Sequence, residues 1–228
     1  MKASDLLNKL RRDEKHQELM RAKEAELNAK IRADQKLLAP FLRRLVDAGV
    51  EATSFNQITG RSSIPIAATP IFSDLLEETC ASAPGYAEAI LHMVTTGKLK
   101  RFPRHVLWKT LKEYPEDSLG YSAGTALAMT ASDSDANEIA LAASNRDLGP
   151  ARASLLLGLP RLFGEASAKM LGEYAQDTDL AAFAAEALGL LPNEESVRIL
   201  ETLATRDDSW VKEKARNSLK TIRRRLSE

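Results

Sequence analysis

The sequence predicts an all-α protein, an N-terminal helical arm followed by a body of about five antiparallel helix pairs. Three observations carry this expectation. From residue 71 onward apolar residues recur at helical spacing, and no alternating apolar and polar run is long enough to build a sheet. Proline, glycine or aspartate marks each break between the periodic stretches, at intervals short enough for antiparallel neighbours. The 228 residues suffice to bury a sizeable core.

Residues 3–38 read as one long polar helix whose Leu6, Leu7, Leu10, Met20, Leu27 and Ile31 form a broken apolar stripe. Laid on a heptad, the seam contains Asp13, Gln17, Glu24 and Asp34, which argues for a solvated arm over a strong coiled coil. A docking arm that orders on a partner is the functional alternative. Pro40 is expected to start a second short helix, Phe41 to Ala48, that Gly49 stops. Residues 49–70, with two Pro, two Gly and clustered Ser and Thr, read as a loop or linker, in which Gly60, Arg61, Ser62 and Ser63 form only a weak phosphate cradle. The expected domains are therefore 1–48, 49–70 and 71–228. Within the last, helices are expected near 71–81, 84–96, 103–114, 118–131, 135–145, 149–159, 164–176, 179–191, 193–205 and 208–226.

A repeat runs through this body. Ala123, Ala153, Ala184 and Ala215 stand 30 or 31 residues apart, and each is followed four residues later by Leu127, Leu157, Leu188 or Leu219. Ala128, Gly158 and Gly189 come next, with Lys220 in the last copy, and small residues there let a neighbouring helix approach closely. Ile139, Met170 and Ile199 mark the preceding helices, and Asp117, Asp147, Asp177 and Asp207 recur every 30 residues at the turns, where Asp caps helices.

In this register the stretch Asp177–Leu203 (DTDLAAFAAEALGLLPNEESVRILETL) resembles the HEAT-repeat family, in particular its short bacterial form. The resemblance covers residues 116–222 well and 70–115 loosely, with Ala181 and Lys220 departing from the family pattern. It implies a right-handed α-α superhelix, a solenoid in which each helix pair buries its apolar stripe against its neighbours. It further implies a concave row of exposed residues on the second helix of each pair. Tyr121, Thr125, Arg152, Phe183, Glu186 and Lys214 are the candidates for that row, with Phe183 as an aromatic anchor or, equally, a buried contact between repeats.

The charge is a cancellation. Lys plus Arg and Asp plus Glu number 32 each, but residues 113–208 hold six basic and 17 acidic residues, and residues 89–112 hold six basic and no acidic ones. The second of these, with Lys98, Lys100, Arg101, Arg104, Lys109 and Lys112 around Phe102, His105 and Trp108, is a possible basic patch. Ordinary helix amphipathicity, with Trp108 and Leu111 inside and Lys109 and Lys112 solvated, is the plainer account of it.

Groups for catalysis are few. Cys80 is the single cysteine, so no internal disulfide forms, and a Cys80–His92 nucleophile pair lies in no cysteine-enzyme motif, which favours a buried structural thiol. Asp133, Asp135, Asn137 and Glu138 look like the start of a calcium loop, but Glu138 replaces its glycine and Ser144 its final glutamate. No cofactor or metal is expected. The sequence shows no secretory leader and no membrane span, which points to the cytoplasm. The functional expectation is a non-catalytic scaffold or adaptor, for example an inhibitor of immunity type, holding a basic protein on its acidic repeats. Nucleic-acid binding or glycosylase-like base repair through 98–112 is the runner-up; bilin-lyase-like chromophore attachment follows from family analogy alone.

Overall fold

A computed structural model describes residues 3–226, without the side chains of 3–14, 16 and 30. All regular structure among these residues is helical. The chain divides into two compact units, residues 1–58 and 59–228.

The first unit is dominated by α1 (Ala3–Asp47). This single helix runs through Pro40, where a break was expected. A proline inside a helix forfeits one backbone bond, at about 3 kcal/mol. Here Leu38, Phe41 and Leu45, on both sides of it, are buried, and the Phe41 ring lies 6.4 Å from that of Phe55. Packing therefore holds the turn that the proline weakens. Gly49 does end the helix: its φ of +81° is open to glycine at little cost, and the Val50 N–H donates to the Leu45 carbonyl at 2.8 Å. The C-terminal half of the stripe is solvated at Met20, Leu27 and Ile31, whereas Leu6, Leu7 and Leu10 lie outside the described side chains.

Residues 49–70 are more ordered than a linker. They contain α2 (Phe55–Thr59) and a 3-10 turn at Ile66–Ala68, and Phe55, Ile58, Ile64 and Ala68 are buried. These isolated apolar residues follow no helical or strand period, so the sequence pattern hides them.

The second unit continues with α3 (Thr69–Ser82), α4 (Pro84–Thr95), α5 (Arg104–Glu113), α6 (Ser118–Thr130) and α7 (Ala136–Ser144). A 3-10 helix, Pro150–Gly158, follows, then α8 (Leu159–Phe163), α9 (Ser167–Tyr174), α10 (Ala181–Leu188), α11 (Glu194–Leu203) and α12 (Ser209–Leu226). Each of α3, α5, α7, α9 and α11 packs on the next helix of its pair, while α4, α6, the 3-10 helix, α10 and α12 pack on one another in succession. The repeat alanines Ala123, Ala153, Ala184 and Ala215 are all fully buried in that second series.

Small residues set how close the series packs. A Cβ on Gly124 would stand 2.1 Å from the Ser154 hydroxyl, and one on Gly158 would stand 2.8 Å from the Ala128 carbonyl oxygen. Gly149 turns the chain into the 3-10 helix at φ +61°, with Pro115 so near that a Cβ would lie 2.6 Å from its ring. Side-chain bonds between elements keep the period of the sequence. Tyr174 Oη donates to the Ala140 carbonyl, Arg161 to that of Ala128 and Arg206 to that of Ala175, across 34, 33 and 31 residues.

The turn aspartates behave less uniformly than their spacing. Asp117 occupies the N-cap position of α6 without a side-chain cap bond. At α12 the cap is Asp208, one residue beyond the periodic Asp207: its Oδ1 accepts the N–H of Trp210 at 2.9 Å and of Val211 at 3.0 Å.

Candidate functional site

The expected exposed row resolves into three different environments. Tyr121 at the start of α6 and Phe183 on α10 are half-buried and stack, with centroids 5.5 Å apart and planes 13° from parallel. Phe183 meets Trp210, at the start of α12, edge to face at 5.8 Å and 86°. Trp210 is 48% exposed. Phe183 is thus an inter-helix contact and the middle of an aromatic row that reaches solvent at Trp210. Burial first, then the charges of Asp179 and Glu116, push the Tyr121 phenol above its ordinary pKa, which places both carboxylates in electrostatic reach of the ring.

One turn further along the same helices, Lys214 donates to Glu186 at 2.5 Å. Both are partly exposed, so the pair contributes little to stability, but it occupies a cation that shares its helix with Trp210. Thr125 stays on its own helix, donating to the Tyr121 carbonyl at 2.9 Å.

Arg152 is a correction. Expected in the exposed row, it is 1% exposed. Residues 151–156 of the 3-10 helix are buried all round between α6, α7 and α10, so no side of that segment faces solvent. Its Nη1 donates to the Ala143 carbonyl at 2.9 Å and its Nη2 to Asp177 Oδ2 at 3.1 Å, with Asp179 at 3.7 Å. Burial alone would raise the Asp177 pKa. The Arg152 hydrogen bond, the Asp179 N–H and the charges of Arg152 and Arg146 outweigh it and hold the carboxyl below the usual range.

Asp135 is likewise held low, first by the Ser132 hydroxyl and Ser132 N–H and then by Arg104. A carboxylate with a depressed native pKa adds stability that is complete above its unfolded value, about 4, and is lost as pH falls through the native value. Urea midpoints should therefore fall as the pH drops below about 4. Asp177→Asn should flatten that slope and lower the midpoint at pH 7; an unchanged slope would exclude Asp177 as a source of it.

Half of the basic segment is committed to internal bonds. Lys98 Nζ donates to the Thr59 carbonyl at 2.8 Å, Lys109 to Glu77 at 2.7 Å, and Arg104 pairs with Asp135 and Glu138. Lys100, Arg101 and Lys112 are exposed, Arg101 at a left-handed φ of +56°. Leu111 is fully buried and Trp108 mostly so. His105, Trp108 and Lys112 line one side of an open groove of about 720 Å³ whose other side includes Leu141 and Leu148.

Cys80 is buried, and desolvation first among several causes raises its pKa, the opposite of what a nucleophile needs. His92 is exposed on α4. Asp135, in the segment that looks like a calcium loop, is engaged by Ser132 and Arg104. Among the described residues no three His, Cys, Asp or Glu side chains gather as metal ligands, and no helix is long and apolar enough to cross a membrane.

Trp210 is the site residue that sequence reasoning missed. It stands four residues before Lys214, hence on the same face of α12, and that spacing was the available pointer. Comparison with known proteins gives no match to the chain among family models, curated proteins or solved structures.

Proposed function

We propose that the protein is a non-catalytic binding scaffold of HEAT-like solenoid type, whose acidic, aromatic face holds a basic segment of a protein partner. The right-handed superhelix is part of this proposal. It is supported by the successive packing of α4, α6, the 3-10 helix, α10 and α12, and by cross-element bonds near the 30-residue repeat. The observation that carries the function is the row Tyr121–Phe183–Trp210, open to solvent at Trp210 and set among carboxylates. Aromatic faces flanked by acids attract cationic side chains. The excess of 11 negative charges over residues 113–208 favours the same class of partner. A lone buried cysteine suits a reducing compartment such as the bacterial cytoplasm.

The alternative, nucleic-acid binding through 98–112, has less to draw on, since Lys98, Arg104 and Lys109 are engaged by protein groups. Protamine and duplex DNA, titrated in parallel over a range of salt, separate the two. Protamine should bind in a salt-sensitive way and weaken roughly tenfold on reversing Glu116 and Asp179 to lysine. Tight DNA binding abolished by reversing Lys100, Arg101 and Lys112 would overturn the proposal.

A further inference from the structure

We infer that the partner is anchored by an arginine whose guanidinium lies on the exposed face of the Trp210 indole. This rests on the reading that the partner is a basic protein segment and specifies the residue which that segment must present.

The argument starts with the ring itself. Trp210 is half-exposed at the first turn of α12, yet its orientation is fixed by the edge-to-face contact with Phe183, which is itself held by the stack on Tyr121. A fixed aromatic face open to solvent offers contact area at little entropic cost. Next come the surrounding charges. Asp207 and Asp208 precede it in the chain, and Glu213 follows one turn later on the same side of the helix; all three are exposed, and none forms an ion pair among the described residues. Asp208 uses Oδ1 to cap the helix, which keeps its carboxylate beside Trp210.

The neighbouring cations are spent. Arg206 donates to the Ala175 carbonyl at 2.7 Å and to Gln176, and Lys214 is bonded to Glu186. Lys212 is two residues from Trp210, on a different side of the helix. What remains is a half-exposed indole with three exposed carboxylates as near neighbours along the chain, which suits a planar cation. A guanidinium is weakly hydrated, stacks flat on indole and projects N–H groups in its own plane towards carboxylates; an ammonium is compact and gives up its water less readily. A nucleobase stacked on Trp210 would bring its phosphates against the same carboxylates.

The test uses the full chain and fluorescent peptides of one Gly-Ser background that carry arginine, lysine or glutamate at the same positions. The arginine peptide should bind several-fold more tightly than the lysine peptide, and the glutamate peptide should not bind. Trp210→Ala should weaken the arginine peptide about tenfold, with Trp210→Phe in between. Equal binding of the arginine and lysine peptides to the unmodified protein overturns the arginine anchor, whether or not a Trp210 variant folds. Loss of both cationic peptides on Glu213→Gln with Asp207→Asn, without arginine preference, overturns the anchor and leaves the basic partner standing. If neither cationic peptide binds better than the glutamate peptide, both readings fall.

Discussion

Arg152→Met should lower the unfolding free energy by about 3 kcal/mol, the lower end of what removing one member of a buried ion pair costs. The guanidinium is 1% exposed and serves two elements at once, the Ala143 carbonyl near the end of α7 and Asp177 in the turn before α10. Methionine fills much of the volume but leaves the carbonyl and the carboxylate without their donor. The lower figure applies because Asp177 is 19% exposed and keeps Arg146 at 3.2 Å. Urea denaturation at pH 7 measures the loss. A double-mutant cycle with Asp177→Asn should show a coupling of about 1 kcal/mol or more between the two positions. Additive losses would mean that the pair is only adjacent, and that Arg152 acts by filling space.

Gly120→Ala should destabilise the protein by about 3 kcal/mol or more, the cost of forcing an extra methyl into a packed core. The added Cβ would fall 1.8 Å from the Tyr114 carbonyl oxygen and 3.1 Å from the Ala151 Cβ. The first is backbone just beyond the end of α5 and the second lies on the buried 3-10 helix, so no flexible side chain yields. Gly85→Ala is the control, since a Cβ there meets nothing within 4 Å. That change should be neutral or stabilise by up to about 1 kcal/mol through the unfolded chain. A Gly120→Ala protein that melts with the wild type would show that α6 moves away from Tyr114 at no cost.

These two positions show which parts of the fold were legible in the sequence. Proline and glycine mark chain breaks through backbone sterics alone, so the turns at Pro84, Pro103, Pro115 and Pro192 lie where the sequence puts them. Pro160 likewise stands in the first turn of α8, one element after the 3-10 helix ends at Gly158, whereas Pro40 does not follow the rule because packing holds the helix through it. The stretch from Pro150 to Gly158 was expected as helix, but its 3-10 winding is invisible to hydrophobic period, and with it the burial of Arg152. Tyr121 and Phe183 were found by register. Their stacking, and the addition of Trp210, depend on how three helices of different origin meet, which no local spacing encodes. The charges of the basic segment were counted correctly, but Glu77, Asp135 and Glu138, which engage Lys109 and Arg104, come from other helices.

The bonds from Tyr174 to Ala140, from Arg161 to Ala128 and from Arg206 to Ala175 each close a loop of similar, modest length. Loop-closure entropy grows slowly with length, but it must be met before any contact is gained, so chains whose contacts are close in sequence fold fast. The strongly packed element pairs of residues 59–228 likewise lie near one another along the chain. Folding from the ribosome can proceed pair by pair as the chain emerges, with each new helix finding its partner already made.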